Sequence, residues 1–148
     1  MPKRFYEDLL LDEQRVSQPR VVNRDDMLEF AQRYDPQYFH ADSEAARESI
    51  FGEVVASGIY TAALWRQLDH EISGDIAWIC GVAWKDTRWP IALRAGDTIR
   101  ARATCLSKRP SGSDPNRGIV EMRYELLNQR DQTVFETVSV NLIETRPR

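Results

Sequence analysis

Cysteine and histidine are scarce in this chain of 148 residues, with two of each. Cys80 and Cys105 are far apart and match no metal-ligand or redox spacing, so they read as two reduced cysteines packed in strands. No metal site and no resident cofactor are expected. No charge sign dominates either: 20 Lys and Arg stand against 23 Asp and Glu, a net −3. That balance supplies no basic field to recruit nucleic acid or an anionic membrane. No apolar run approaches the roughly 20 residues that a membrane-spanning helix requires. No secretory apolar stretch follows the basic pair Lys3-Arg4, which points to a cytoplasmic location. Also absent are a Gly-x-Ser-x-Gly elbow, a Walker phosphate loop, a dinucleotide-binding fingerprint and a His-Glu-x-x-His pair.

What is present describes an ordinary globular chain, 42% hydrophobic and 29% charged. Its length suits one domain over residues 1–148, with a core large enough to need no staple. Residues 1–15 read as irregular, and Arg20-Val21-Val22 as a short extended segment. Asn23 is placed to cap a helix whose first turn carries Asp25 and Asp26, negative charge at the favourable end. Met27, Phe30, Ala31 and Tyr34 recur at helical spacing, and Pro36 ends the element at Asp35. A second short helix is expected over residues 43–49, broken by Gly52.

From Val54 to Trp65 there is no charged residue, and Tyr60, Leu64, Leu68 and Ile72 repeat every four positions. A helix this apolar must be covered on most sides. The rest of the chain reads as strands that supply the cover. Ile76 to Trp89 is rich in Ile, Val and Trp. Ile99, Ala101, Ala103 and Cys105 alternate with polar residues, as do Val120, Met122, Tyr124 and Leu126. Residues 108–118 read as a long hairpin loop, and Val134, Val138, Val140 and Leu142 as the lining of a last strand. Helices first and an antiparallel meander afterwards give an α+β domain, a sheet curled around one helix.

His40 lies five positions after Asp35, and histidine beside a carboxylate is a common acid–base arrangement near neutral pH. Asp35 before Pro36 is also an ordinary helix boundary, and His40 can simply satisfy a backbone carbonyl. Ser57-Gly58 opens the buried helix, where unpaired backbone amides suit a developing oxyanion. There too a plain cap at Ser57 and close packing at Gly58 are the simpler explanation of the pair. His70 reads as surface. Arg100, Arg102, Lys108 and Arg109 form either a solvated strand face or a grip for a polyanionic tail.

The order of these features resembles the MaoC-like dehydratases, the R-specific enoyl-CoA hydratase family. The residues that carry the resemblance begin with Phe5-Tyr6-Glu7-Asp8 and the helix capped by Asn23. Asp35-Pro36-Gln37-Tyr38-Phe39-His40-Ala41-Asp42 and Val54-Val55-Ala56-Ser57-Gly58 follow, then Pro90 and Arg94-Ala95-Gly96-Asp97-Thr98.

The resemblance implies a hot-dog fold and a hydratase or dehydratase that adds water to a trans-2-enoyl thioester. It implies Asp35 and His40 as the pair that activates the water, and the Gly58 amide as donor to the thioester carbonyl. It departs from the usual Gly-Asp-x-Asn-Pro-x-His at three places. Tyr34 precedes the aspartate, Gln37 stands where Asn is usual, and Tyr38 stands where Pro is usual. Gln37, Tyr38 and Ser57 are therefore expected to shape the site. The substrate would be carried by coenzyme A or acyl carrier protein, and a homodimer is expected. Two other readings stand beside this one: an acyl-CoA thioesterase, and a non-catalytic acyl-CoA-binding protein or partner subunit.

Overall fold

In the computed structural model of the chain, which describes residues 3–148, Asn23 caps helix α1 (Arg24–Tyr34) by accepting from the Asp26 amide at 2.9 Å. Residues 1 and 2 of the irregular start lie outside the described residues. Met27 and Ala31 of α1 are buried, and Phe30 packs against the core. Tyr34, expected on the same stripe, is exposed. The segment after Pro36 is more ordered than expected, because Tyr38–Ala41 closes a one-turn helix, α2.

The helix expected over residues 43–49 is only a 3-10 turn at Ala45–Glu48. Asp42 Oδ1 accepts from the amides of Glu44 and Ala45 and starts it. The segment between that cap and Gly52 is too short to gain from helix propagation.

Helix α3 (Gly58–Ser73) fits its sequence. Its 16 residues make a rod of about 24 Å. The Ser57 hydroxyl accepts from the Ile59 amide at 3.2 Å and fixes its start. Tyr60, Thr61, Ala62, Leu64, Trp65, Leu68, Asp69 and Ser73 are buried.

Six strands curl around it: β1 (Gln14–Val16), β2 (Arg20–Val21), β3 (Trp78–Arg88), β4 (Thr98–Pro110), β5 (Arg117–Leu127) and β6 (Thr133–Glu144). The order is β1-β4-β5-β6-β3, with β2 also on β4, and every strand pairing is antiparallel. Trp65, fully buried on α3, meets Tyr124 of β5, Phe135 of β6 and Trp84 of β3 at ring separations of 4.9, 5.4 and 5.1 Å. This is a single α+β hot-dog domain: one long helix wrapped by an antiparallel sheet.

Three further expectations need correction. The inner face of β6 is not the Val138, Val140, Leu142 stripe. Tyr124 lies opposite Thr137, Met122 opposite Ser139 and Val120 opposite Asn141, so these polar residues face inward with Phe135 and Ile143. Cys80 is exposed, unlike the buried Cys105, because β3 is an edge strand that is solvent-facing along most of its length. The hairpin loop expected at 108–118 shrinks to residues 111–116, since β4 and β5 pair as far as Pro110 opposite Gly118. No helix among the described residues is long and apolar enough to cross a membrane.

Candidate active site

The segment from Val54 to Ser57 is the frame on which the candidate residues meet. It is buried throughout and runs directly into α3. Two backbone bonds hold it, from the Val55 amide to the Phe39 carbonyl at 3.0 Å and from the Ala56 amide to the Leu93 carbonyl at 2.8 Å. Leu93 is placed by the turn after it, where Gly96 at φ +86° takes a conformation that side chains disfavour and Asp97 Oδ2 accepts from the Arg94 amide at 2.9 Å.

Asp35 and His40 both attach to this frame. Ser57 Oγ donates to Asp35 Oδ2 at 2.6 Å, and His40 Nδ1 lies 2.8 Å from the Val55 carbonyl. Because a carbonyl only accepts, Nδ1 carries the proton, and a neutral His40 ring presents Nε2 as an acceptor. The two anchor points are two residues apart, about 7 Å along an extended chain. Asp35 is therefore not engaged merely as a helix boundary. His40 does satisfy a backbone carbonyl, as one reading of the sequence allowed, yet that bond leaves the other ring nitrogen uncommitted.

Gly58 is the first residue of α3, and its amide donates to no acceptor among the described residues. At the end of a 16-residue helix this amide sits in the positive end of the macrodipole. The indole of Trp89 packs on the same glycine: a Cβ added there would lie 3.0 Å from Trp89 Cε2. Sequence reasoning did not single out Trp89, whose only signal is its place before Pro90. Tyr60, one turn into α3, donates its hydroxyl to Asp26 Oδ2 at 3.1 Å, and burial together with that carboxylate pushes its pKa upward.

Gln37 and Tyr38, two of the three residues that depart from the usual motif, are peripheral. Gln37 is exposed, and it is its backbone carbonyl that accepts, from the amides of His40 and Ala41 at 2.9 Å each. Tyr38 is half exposed and stands edge-on to Phe39. Cavities of about 560 Å³, between α3 and β3, and about 320 Å³, between α1 and α3, are lined by neither Asp35, His40 nor Gly58. His70, exposed as expected, lines the first of these. Of the basic run, Arg100 pairs with Asp131, Arg102 with Glu125, and Lys108 donates to the Leu9 carbonyl. Three of the four residues are thus held by partners on the chain itself.

The family model described as "MaoC like domain" matches residues 9–127, well over half of the chain. The chain belongs to the MaoC-like family. A MaoC-like dehydratase from Rhodospirillum rubrum superposes with a TM-score of 0.91 at 36% identity, covering 98% of this chain and 99% of that one. A relative in sequence is the uncharacterized protein YdeM of Bacillus subtilis. It is 31% identical over 119 residues, which is 78% of this chain and 81% of YdeM. The R-hydratase PhaJ1 of Pseudomonas aeruginosa shares the fold, with a TM-score of 0.74 at 19% identity over 96% of this chain and 86% of PhaJ1.

Proposed function

We propose that this MaoC-like protein is a hydratase or dehydratase that adds water across a trans-2-enoyl thioester, reversibly giving a 3-hydroxyacyl thioester. The observation that carries the reading is the attachment of both Asp35 and His40 to residues 55–57, immediately before the Gly58 amide. An acid–base pair and an oxyanion donor thus share one short frame, although the chain brings them from three separate elements.

The chemistry then follows. The thioester carbonyl withdraws electrons from the double bond, and negative charge builds on its oxygen as water oxygen bonds to C3. The Gly58 amide, already in place, stabilises that charge. Water donates one hydrogen to His40 Nε2 and the other to Asp35, whose remaining oxygen is not engaged by Ser57. Asp35 takes the proton as the C3–O bond forms. The same proton passes to C2 when the enolate collapses, so H and OH are added and both side chains end as they began. Donation to C2 from His40 would first require its ring to take up a proton. As proposed, the reaction uses the chain's own groups, with the acyl chain presented on coenzyme A or acyl carrier protein.

We also propose that two copies pair along β3. This strand is an unpaired edge with Ile79, Val82 and Trp84 exposed, a surface that a second strand would cover. Sedimentation should give twice the chain mass for the wild type and a monomer for Val82→Lys.

The deciding assay follows loss of the conjugated thioester absorbance when the purified protein meets crotonyl-CoA and longer trans-2-enoyl-CoA esters. Water-dependent loss with formation of the 3-hydroxyacyl ester supports the reading. Release of free thiol with the double bond intact would overturn it in favour of a thioesterase, and binding without either change in favour of an acyl-CoA carrier.

A further inference from the structure

Trp89 follows the last residue of β3, well after Asp35 and His40 in the chain, yet it packs on Gly58, next to the frame that holds them both. Its indole Nε1 donates to the Gly58 carbonyl at 3.0 Å. The ring lies so close to Gly58 that a Cβ there would meet Cε2 at 3.0 Å, Nε1 at 3.1 Å and Cζ2 at 3.3 Å. One side of the indole packs on Phe135, with ring centroids 5.5 Å apart, and Phe135 is itself locked against the buried Trp65. Even so, 49% of Trp89 is exposed. A large flat ring, anchored in the core along one side and open along the other, thus stands at the mouth of α3.

We propose that Trp89 is the positioning and specificity-determining residue for the thioester at Gly58. This rests on the reading of the chain as an enoyl-thioester hydratase. Two roles combine in the one side chain. Its N–H fixes the carbonyl of residue 58, while Asp35 fixes Ser57 on the preceding side, so the amide between them is held from both directions. Its exposed face gives the flat, conjugated C=C–C(=O)–S unit a surface of matching shape, where stacking adds to simple burial. The absence of a side chain at position 58 lets the ring come this close, since a methyl group there would press on it and make it give by a few tenths of an ångström. The occupant favoured by such a wall is a planar α,β-unsaturated thioester, in preference to its saturated counterpart.

Two substitutions separate the roles. Trp89→Phe keeps a flat ring and removes the N–H; Trp89→Leu removes both. Each variant is first checked by its melting transition, and kcat and KM are then measured with crotonyl-CoA. Quenching of tryptophan fluorescence by butyryl-CoA, which cannot be hydrated, gives binding independently of turnover. For Trp89→Phe the expected result is a fall in kcat of about tenfold with KM within about threefold of wild type, as for a loosened transition-state donor. For Trp89→Leu, KM for crotonyl-CoA should rise about tenfold as well. Wild-type fluorescence should be quenched by butyryl-CoA, and because Trp89 is itself the reporting indole that quenching should vanish in both variants. Quenching that persists in Trp89→Leu would come from a ligand away from Trp89 and would overturn the proposal.

If the wild type hydrates crotonyl-CoA and both variants match it within twofold, the role of Trp89 is overturned while the proposed function stands. An equal fall in kcat in both variants with KM unmoved marks a structural prop and overturns it too. If the wild type neither binds butyryl-CoA nor consumes crotonyl-CoA, both proposals fall together.

Discussion

Ser57 joins two jobs in one hydroxyl: it donates to Asp35 Oδ2 at 2.6 Å and accepts from the Ile59 amide at 3.2 Å. The start of α3 and the position of the candidate base are therefore set by the same atom. Removing it should affect stability and chemistry separately. Ser57→Ala is expected to cost about 1 kcal/mol of folding stability, the usual loss of a helix cap. It should also lower kcat with an enoyl-CoA by about tenfold, because Asp35 loses the donor that orients it. Denaturant unfolding and steady-state kinetics on the same preparation measure both. A stability loss without a kinetic one would leave Ser57 as a cap alone.

Asp35→Asn and His40→Ala should each lower turnover by at least about a hundredfold, the range expected for a lost acid–base group. Neither should melt far below the wild type, because the frame at 54–57 is also held by backbone bonds to Phe39 and Leu93. The isosteric Asp35→Asn keeps an acceptor for Ser57 and loses only the capacity to take a proton, so it is the cleaner test. Wild-type-like rates in either variant would rule out its assigned role.

The physical reasons why some of this was legible in the sequence are uneven. Helix α3 announced itself through the absence of charge from Val54 to Trp65, since a helix apolar on nearly every side has to be wrapped. The strands β4 and β5 showed their alternation plainly, because small and apolar residues face α3 while charged ones face water. Strand β6 did not. Its inner face carries Thr137, Ser139 and Asn141 beside Phe135 and Ile143, while Val138 and Val140 lie on the other side and Val134 alone of its valines joins the core, so the apolar residues pointed mostly to the wrong face. The one-turn helix at Tyr38–Ala41 is too short to leave a period. At the site, the spacing of Asp35 and His40 left a structural role open. What joins them is tertiary: Ser57 is 22 residues from Asp35, and Val55 is 15 from His40. Trp89, 31 residues from Gly58, had no pattern to reveal it.

Gly118 tests the packing of the N-terminal segment on the sheet. A Cβ at this position would come within 2.1 Å of the Tyr6 ring, far inside van der Waals contact. Tyr6 in turn lies beneath the Lys108 ammonium, 4.6 Å from the ring centroid. The ring is pinned between the two and has little room to give. Gly118→Ala should therefore destabilise the fold by about 1–3 kcal/mol through overpacking. Adding Tyr6→Ala should restore part of the loss, since the clash disappears with the ring. Melting curves of the single and double variants check this, and strict additivity would show that the two residues do not meet.

The last prediction concerns acid stability and the ion pairs around Glu13. Partial burial pushes the Glu13 carboxyl pKa upward, but the hydrogen bond and charge of Arg4, with Arg15 close by, outweigh burial and hold it below its ordinary value. A carboxyl whose pKa is lower folded than unfolded contributes stability above the unfolded value, about 4.3, and loses it as the pH falls through the folded one. Glu13→Gln removes that contribution. Between pH 7 and about pH 5.5 the variant should be less stable than wild type by a steady margin of about 1 kcal/mol. Below about pH 4 the margin should narrow, because the unfolded chain's Glu13 takes up a proton there while the folded carboxyl yields only at lower pH. Urea unfolding of both proteins across this range reads the margin directly. A gap that stays constant down to pH 3 would mean that Glu13 acts through its shape and hydrogen bonds, with no contribution from its charge.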